Sequence, residues 1–196
     1  SVGLGGGGLR IDGTATLSNC SIYGNTAGEH ANTNAHTGGG LAIGGSGEAT
    51  LTDCNVYQNT ANYVYAGGGG LRIDGTATLI NCEIYGNTAA GWRSGGGLNV
   101  VGTATLTNCN VYQNTVTNTA DRGGGMFIFG IVTLSNCNMF GNTAPKIWLL
   151  SGTLTLVGTT WASFTGAHKA GGTIIEASPP FTPPSLPRPP SRPPVP

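Results

Sequence analysis

The chain has 196 residues, a formal net charge of zero, 35 glycines and only 8% charged residues, against about 25% in an average soluble domain. That balance leaves no basic stripe for nucleic acid and no acidic block for cations. No run of about 18 apolar residues is present, so no membrane span is predicted.

In chain order, one block of roughly 28 residues is met five times, a period that signals a stacked repeat. The copies read GGGGLRIDGTATLSNCSIYGNTA, GGGLAIGGSGEATLTDCNVYQNTA, GGGGLRIDGTATLINCEIYGNTA, GGGLNVVGTATLTNCNVYQNTV and GGGMFIFGIVTLSNCNMFGNTA. Coils are predicted near 5–37, 38–66, 67–94, 95–122 and 123–146. A degraded coil follows over 147–177 and a Pro-rich extended tail over 178–196. The chain enters directly inside a repeat, which predicts a natural start upstream of Ser1. Copies one and three share LRIDGTATL, and copies two and four share NVYQNT, so the unit of duplication is a pair of coils.

Within each copy the apolar residues alternate, as in Leu9-x-Ile11, Ala15-x-Leu17 and Cys20-x-Ile22. Period two predicts short half-buried strands, and the intervening Gly, Asn and Asp are turn formers. About three strands per coil, stacked in register, predict parallel sheets with right-handed crossovers. The fold expected is all-β: a right-handed single-stranded parallel β-helix of about six coils, followed by an extended polyproline II tail. In the degraded coil, GTLTLVGTTWASF, Leu156 takes the leucine position, Thr159 replaces cysteine and Trp161 replaces the Ile22-type residue, as suits an end cap.

The pattern GGG-L-x-I … TL-x-N-C-x-I-Y-x-N-T resembles the right-handed β-helix repeats of pectate-lyase-like and polymorphic outer-membrane-protein-like families, over about residues 3–165. The resemblance implies the fold. It leaves activity open, because that superfamily includes lyases, hydrolases, adhesins and structural proteins.

Ten of the eleven prolines fall in the final PPFTPPSLPRPPSRPPVP. Such a segment cannot join a sheet and should be polyproline II, reaching roughly 55 Å. Its plain reading is a linker or an SH3-type ligand. The Ser-Pro-Pro and Thr-Pro-Pro elements also resemble hydroxyproline-rich extracellular glycoproteins of algae and plants, although Arg188 and Arg192 interrupt the pattern. That resemblance implies hydroxylation and O-glycosylation across Pro179, Pro180, Pro183, Pro184, Pro187, Pro189, Pro190, Pro193 and Pro194, with Ser178, Thr182, Ser185 and Ser191.

Several columns recur once per coil. Cys20, Cys54, Cys82, Cys109 and Cys137 read as a buried ladder of reduced thiols, with disulfides between adjacent coils as the alternative. Asn25, Asn59, Asn87, Asn114 and Asn142 read as an amide ladder inside a turn. Asn19 heads the one N-glycosylation sequon and is expected within the ladder. Thr16, Thr50, Thr78, Thr105 and Thr133 should face outward beside Thr14, Thr76 and Thr103, a second column broken by Glu48 and Ile131. Such arrays resemble those of ice-binding β-helices, or express only the β-propensity of threonine.

Length variation falls at 27–37, 61–66, 89–94 and 116–122, so one edge carries the variable loops. Tyr63, Tyr65 and Trp92 on that edge are candidates for stacking on sugars or on another subunit; covering the core is the bland alternative. His30 and His36 alone make no metal site. Arg10 with Asp12 and Arg72 with Asp74 are expected to point to opposite faces and to be solvated, two coils apart, assembling no acid–base pair. No catalytic, cofactor or metal residue is therefore assigned.

The function expected is a non-enzymatic extracellular structural protein, a subunit of a glycosylated fibril or matrix. Its partners would be further copies stacked head-to-tail on the open first coil, and glycans covalently held by the tail. An adhesin or glycan-binding module is the alternative, and ice binding through the threonines a third.

Overall fold

Each alternating run becomes a strand that pairs in parallel with its equivalent one repeat away. The computed structural model describes residues 7–28, 38–62, 67–117, 123–143, 145–164 and 166–178. The prolines of the tail, Thr182, Ser185, Ser191, His30, His36, Tyr63 and Tyr65 lie outside them.

Four parallel sheets build the stack, two of seven strands, one of five and one of four. The first joins Leu9–Ile11, Leu41–Ile43, Leu71–Ile73, Leu98–Val100, Met126–Ile128, Ile147–Leu149 and His168–Lys169. The second joins Thr14–Ser18, Glu48–Thr52, Thr76–Ile80, Thr103–Thr107, Ile131–Ser135, Thr153–Val157 and Thr173–Ala177. The third joins Ser21–Tyr23, Asn55–Tyr57, Glu83–Tyr85, Asn110–Tyr112 and Asn138–Phe140. The fourth joins the two-residue strands Thr26–Ala27, Thr60–Ala61, Thr88–Ala89 and Thr115–Val116. This is a parallel β-helix in which the Asn-Thr-Ala run adds a short fourth strand to the three expected.

The C-terminal end differs from the sequence reading. Segment 147–177 holds two rungs of the first two sheets rather than one degraded coil. Leu156 does pair with Leu134, but Trp161 does not take the Ile22 place. Residues Trp161–Ser163 form a 3-10 turn, and the third sheet ends at Asn138–Phe140. Gly158 and Thr159 stand where Asn136 and Cys137 stand one coil earlier; Gly158 keeps the left-handed corner at φ 73°, but the chain then enters the 3-10 turn instead of a third-sheet strand. Phe164, buried against the last core residues, closes the end.

Two corners of each coil depend on left-handed backbone. The residue before each Cys, namely Asn19, Asp53, Asn81, Asn108 and Asn136, has φ of 52–54°, which Asn and Asp tolerate best among residues with a Cβ. The residue after each aromatic is Gly24, Gly86 or Gly141 in the odd copies and Gln58 or Gln113 in the even ones, all at positive φ. The two-residue insertion of copy two closes as a turn, with the Gly47 N–H donated to Gly44 O at 2.8 Å.

The inward columns are leucine, alanine, cysteine and isoleucine or valine, buried from Leu41 through Leu156. In the first coil Ala15, Leu17, Cys20 and Ile22 are only partly buried and Leu9 is 39% exposed. The first sheet is buried on both faces, because Ala42, Arg72, Asn99 and Phe127, which alternate with the inward residues, are also covered.

Candidate functional site

The asparagine column is a continuous hydrogen-bonded ladder. Nδ2 of Asn25 donates to Oδ1 of Asn59, Asn59 to Asn87, Asn87 to Asn114 and Asn114 to Asn142, each at 3.0 Å. The same oxygens accept the backbone N–H of the preceding asparagine. The second Nδ2 proton goes to a backbone carbonyl: Ile22 O from Asn59, Val56 O from Asn87, Ile84 O from Asn114. Buried amides are satisfied in this way without water, so the column is spent on stacking.

The five cysteines are free thiols. Each Sγ lies 3.3 Å from the carbonyl two residues before it, and those of Cys54, Cys82 and Cys109 lie 3.5 Å from a leucine carbonyl of the preceding coil. Cys20 is half-buried and the others are buried. Cys82 is held protonated by its hydrogen bond to Cys109 and by burial. Cys109 is pushed up to about 11 by its hydrogen bond to Cys137, with burial adding to the effect. Desolvation likewise raises Cys54. Thiols of this kind are inert rather than nucleophilic.

The charged pairs depart from expectation. Residues two apart on a strand share a face, and Arg10 forks onto Asp12 through Nε at 2.8 Å and Nη2 at 2.6 Å. Arg72 meets Asp74 through Nε at 2.8 Å and Nη2 at 2.6 Å. Coil two carries Ala42 and Gly44 at these places, and a Cβ on Gly44 would collide with the Asp12 carboxylate. The alternation of large and small coils thus makes room for the ion pairs. Arg72 is not solvated: it is 1% exposed, and burial lowers its pKa against the support of Asp74. Further along the same face, Asn99 donates to Arg93 O at 2.6 Å and to Gly67 O at 3.3 Å. The loop edge therefore folds over the first sheet.

The outward face of the second sheet is a lattice of small residues in register. Its middle column runs Thr16, Thr50, Thr78, Thr105, Thr133 and Thr155 and ends on Ile175. Thr14, Glu48, Thr76, Thr103, Ile131, Thr153 and Thr173 line one side. Ser18, Thr52, Ile80, Thr107, Ser135 and Val157 line the other. Thr155, Thr153 and the entire third column were not singled out from the sequence, because the sixth rung lacks the Cys used to align it.

The outward face of the third sheet carries a stack of rings. Tyr23, Tyr57, Tyr85, Tyr112 and Phe140 succeed one another with centroids 4.9–5.0 Å apart and planes within 2–6°. Tyr23 is 58% exposed, Phe140 is exposed, and the three between are half-buried. Beside the rings, Asn138 donates to Asn110 and Asn110 to Glu83, at 2.9 and 2.7 Å.

Of the remaining sequence candidates, Trp92 is 56% exposed on the loop edge. Asn19 is exposed at its corner rather than enclosed in the inner asparagine ladder. Ser178 is exposed at the end of the described chain. Among the described residues, no cluster of three or more His, Cys, Asp or Glu is placed to hold a metal ion. No described helix is long and apolar enough to cross a membrane.

The family model for the right handed beta helix region matches residues 39–163. The chain belongs to the right-handed β-helix family. The match runs from the second coil to the 3-10 turn at Trp161–Ser163. No curated protein and no solved structure matches the chain.

Proposed function

We propose that this right-handed β-helix is a non-enzymatic extracellular structural module, a rod that offers a repeated surface to a fibril or matrix and carries glycans on its Pro-rich tail. The supporting observation is that the ladders of Asn, Cys, Tyr and Thr hold the same register from rung to rung. A surface built of identical rungs meets a repeated partner better than a single small molecule. Electron microscopy and tail mass spectrometry of native material test this reading. Filaments and hydroxylated, glycosylated prolines are expected; monomers with unmodified prolines overturn it.

A second reading, ice binding, is favoured by one observation: six threonines follow one another in register on an outward face whose flanking columns hold one charge, Glu48. Methyl and hydroxyl groups at fixed spacing suit an ordered layer of water better than a charged mineral. Thermal hysteresis in the unmodified chain, lost in Thr78→Tyr with the circular dichroism unchanged, supports it. A chain without hysteresis ends it.

A further inference from the structure

The four stacked tyrosines have no part in the core, the turns or the threonine face. Tyr23, Tyr57, Tyr85 and Tyr112 are successive, nearly parallel rings, 4.9–5.0 Å from centroid to centroid, on the outside of the rod. Parallel rings repeated by translation keep equivalent carbons about one coil spacing apart, so the carbons ortho to the hydroxyls face each other in pairs. Holding two reactants side by side converts an encounter between molecules into a local step. Most competing oxidation sinks are withdrawn, since Cys54, Cys82, Cys109, Cys137, Met126 and Met139 are buried; the half-buried Cys20 and the exposed Trp92 remain. Phe140 takes the fifth place and has no phenol to contribute.

We propose that this ladder is a site of oxidative cross-linking, in which a haem peroxidase with hydrogen peroxide joins tyrosines of neighbouring coils as dityrosine. Each phenol gives up one electron and one proton to become a phenoxyl radical. Two radicals on adjacent rungs form a carbon–carbon bond between ortho positions, and the hydrogen on each joined carbon moves to its oxygen, restoring the phenols. The two electrons and two protons reduce one hydrogen peroxide to two waters. Closing the gap requires the two joined rings to turn out of their parallel stack about the Cα–Cβ and Cβ–Cγ bonds, which side chains on the outside of the rod can do. The product is a covalent staple between coils that are otherwise held by hydrogen bonds and packing. The inference depends on ring geometry alone and stands or falls separately from the fibril reading.

The test treats the full chain with a plant haem peroxidase and hydrogen peroxide, isolates the monomer on a denaturing gel, and maps cross-linked peptides by mass spectrometry. The expected products join Tyr23 to Tyr57, Tyr57 to Tyr85 or Tyr85 to Tyr112, with dityrosine fluorescence in the monomer band. In the double variant Tyr57→Phe, Tyr112→Phe the rings still stack, but Tyr23 and Tyr85 are two coils apart. Ladder products should fall at least tenfold while circular dichroism is unchanged. Dityrosine found only between molecules, or only on Tyr63 and Tyr65, overturns the proposal. So does an unchanged yield in the double variant, or a monomer free of dityrosine.

Discussion

Asn59 and Asn87, 28 residues apart, are joined twice through one oxygen: Oδ1 of Asn87 accepts both Nδ2 and the backbone N–H of Asn59, each at 3.0 Å. The side chain of one coil thus closes the backbone turn of the coil before it.

Removing one member should open that turn on both sides. Asn87→Ala leaves the Asn59 donors and Val56 O without their partner, and each orphaned buried group costs about 1–3 kcal/mol. A loss of about 3–5 kcal/mol is expected in urea unfolding. Asn87→Asp should lose more at neutral pH, because it buries a charge and removes the donors to Val56 and Asn114. Part of that loss should return in acid, as the carboxyl regains its proton.

The two Arg–Asp pairs offer a matched comparison. Asp74→Asn takes the carboxylate from a guanidinium that is 1% exposed, and breaking a buried pair costs about 3–5 kcal/mol. Asp12→Asn removes the same contact where both partners are substantially solvated, and should cost less than about 1 kcal/mol. Equal losses in thermal unfolding would refute the burial of the coil-three pair.

The thiol ladder predicts alkaline weakness. Cys82 and Cys109 are raised above the ordinary 9.0, the latter to about 11. The folded state therefore keeps protons that the unfolded chain releases. The stabilisation is full below pH 9 and is lost as the pH rises through the folded values, by up to about 1.4 kcal/mol per pH unit for each thiol. The denaturant midpoint should fall from pH 8.5 to 10, and the double variant Cys82→Ala, Cys109→Ala should flatten that fall from a lower start.

At the glycine corner, space decides. A Cβ on Gly96 would run into Gly124 O and the backbone of Thr115, whereas one on Gly45 would meet nothing within 4 Å. Gly96→Ala should cost about 3 kcal/mol. Gly45→Ala should shift stability by less than about 0.5 kcal/mol. Thermal melts of the two variants decide the matter.

The sequence made Leu17, Cys20, Ile22 and their counterparts legible because period two is a local signal, and register followed from repetition. Arg72 is not legible for the opposite reason. It stands on the outward side of a three-residue strand, where period two predicts exposure, yet it is 1% exposed, and no local pattern reports that cover. The tyrosine column was visible in the alignment, but its face-to-face stacking depends on shared side-chain rotamers that only the assembled sheet sets. Asn19 occupies the exposed left-handed corner before Cys20, a place held by Asn in four coils and by Asp53 in the second, and the sequence alone does not separate it from the inner Asn25 column. The last rung is not legible because Thr173–Ala177 pairs with Thr153–Val157 while breaking its pattern, with Ile175 opposite Thr155 and Glu176 opposite Leu156, and without the Cys that marks the first five coils.

The direction of the hydrogen bonds has a mechanical consequence. All four sheets pair along the rod's long axis, so a force applied at the two ends loads each ladder bond in tension, one rung at a time, instead of shearing many together. Under load the terminal coil peels while those behind it remain wound. Each coil that yields, 28 residues between successive asparagines, pays out roughly 95 Å of chain. Such a rod lengthens in discrete steps rather than snapping, and a covalent bond between two rungs would remove their step from the series.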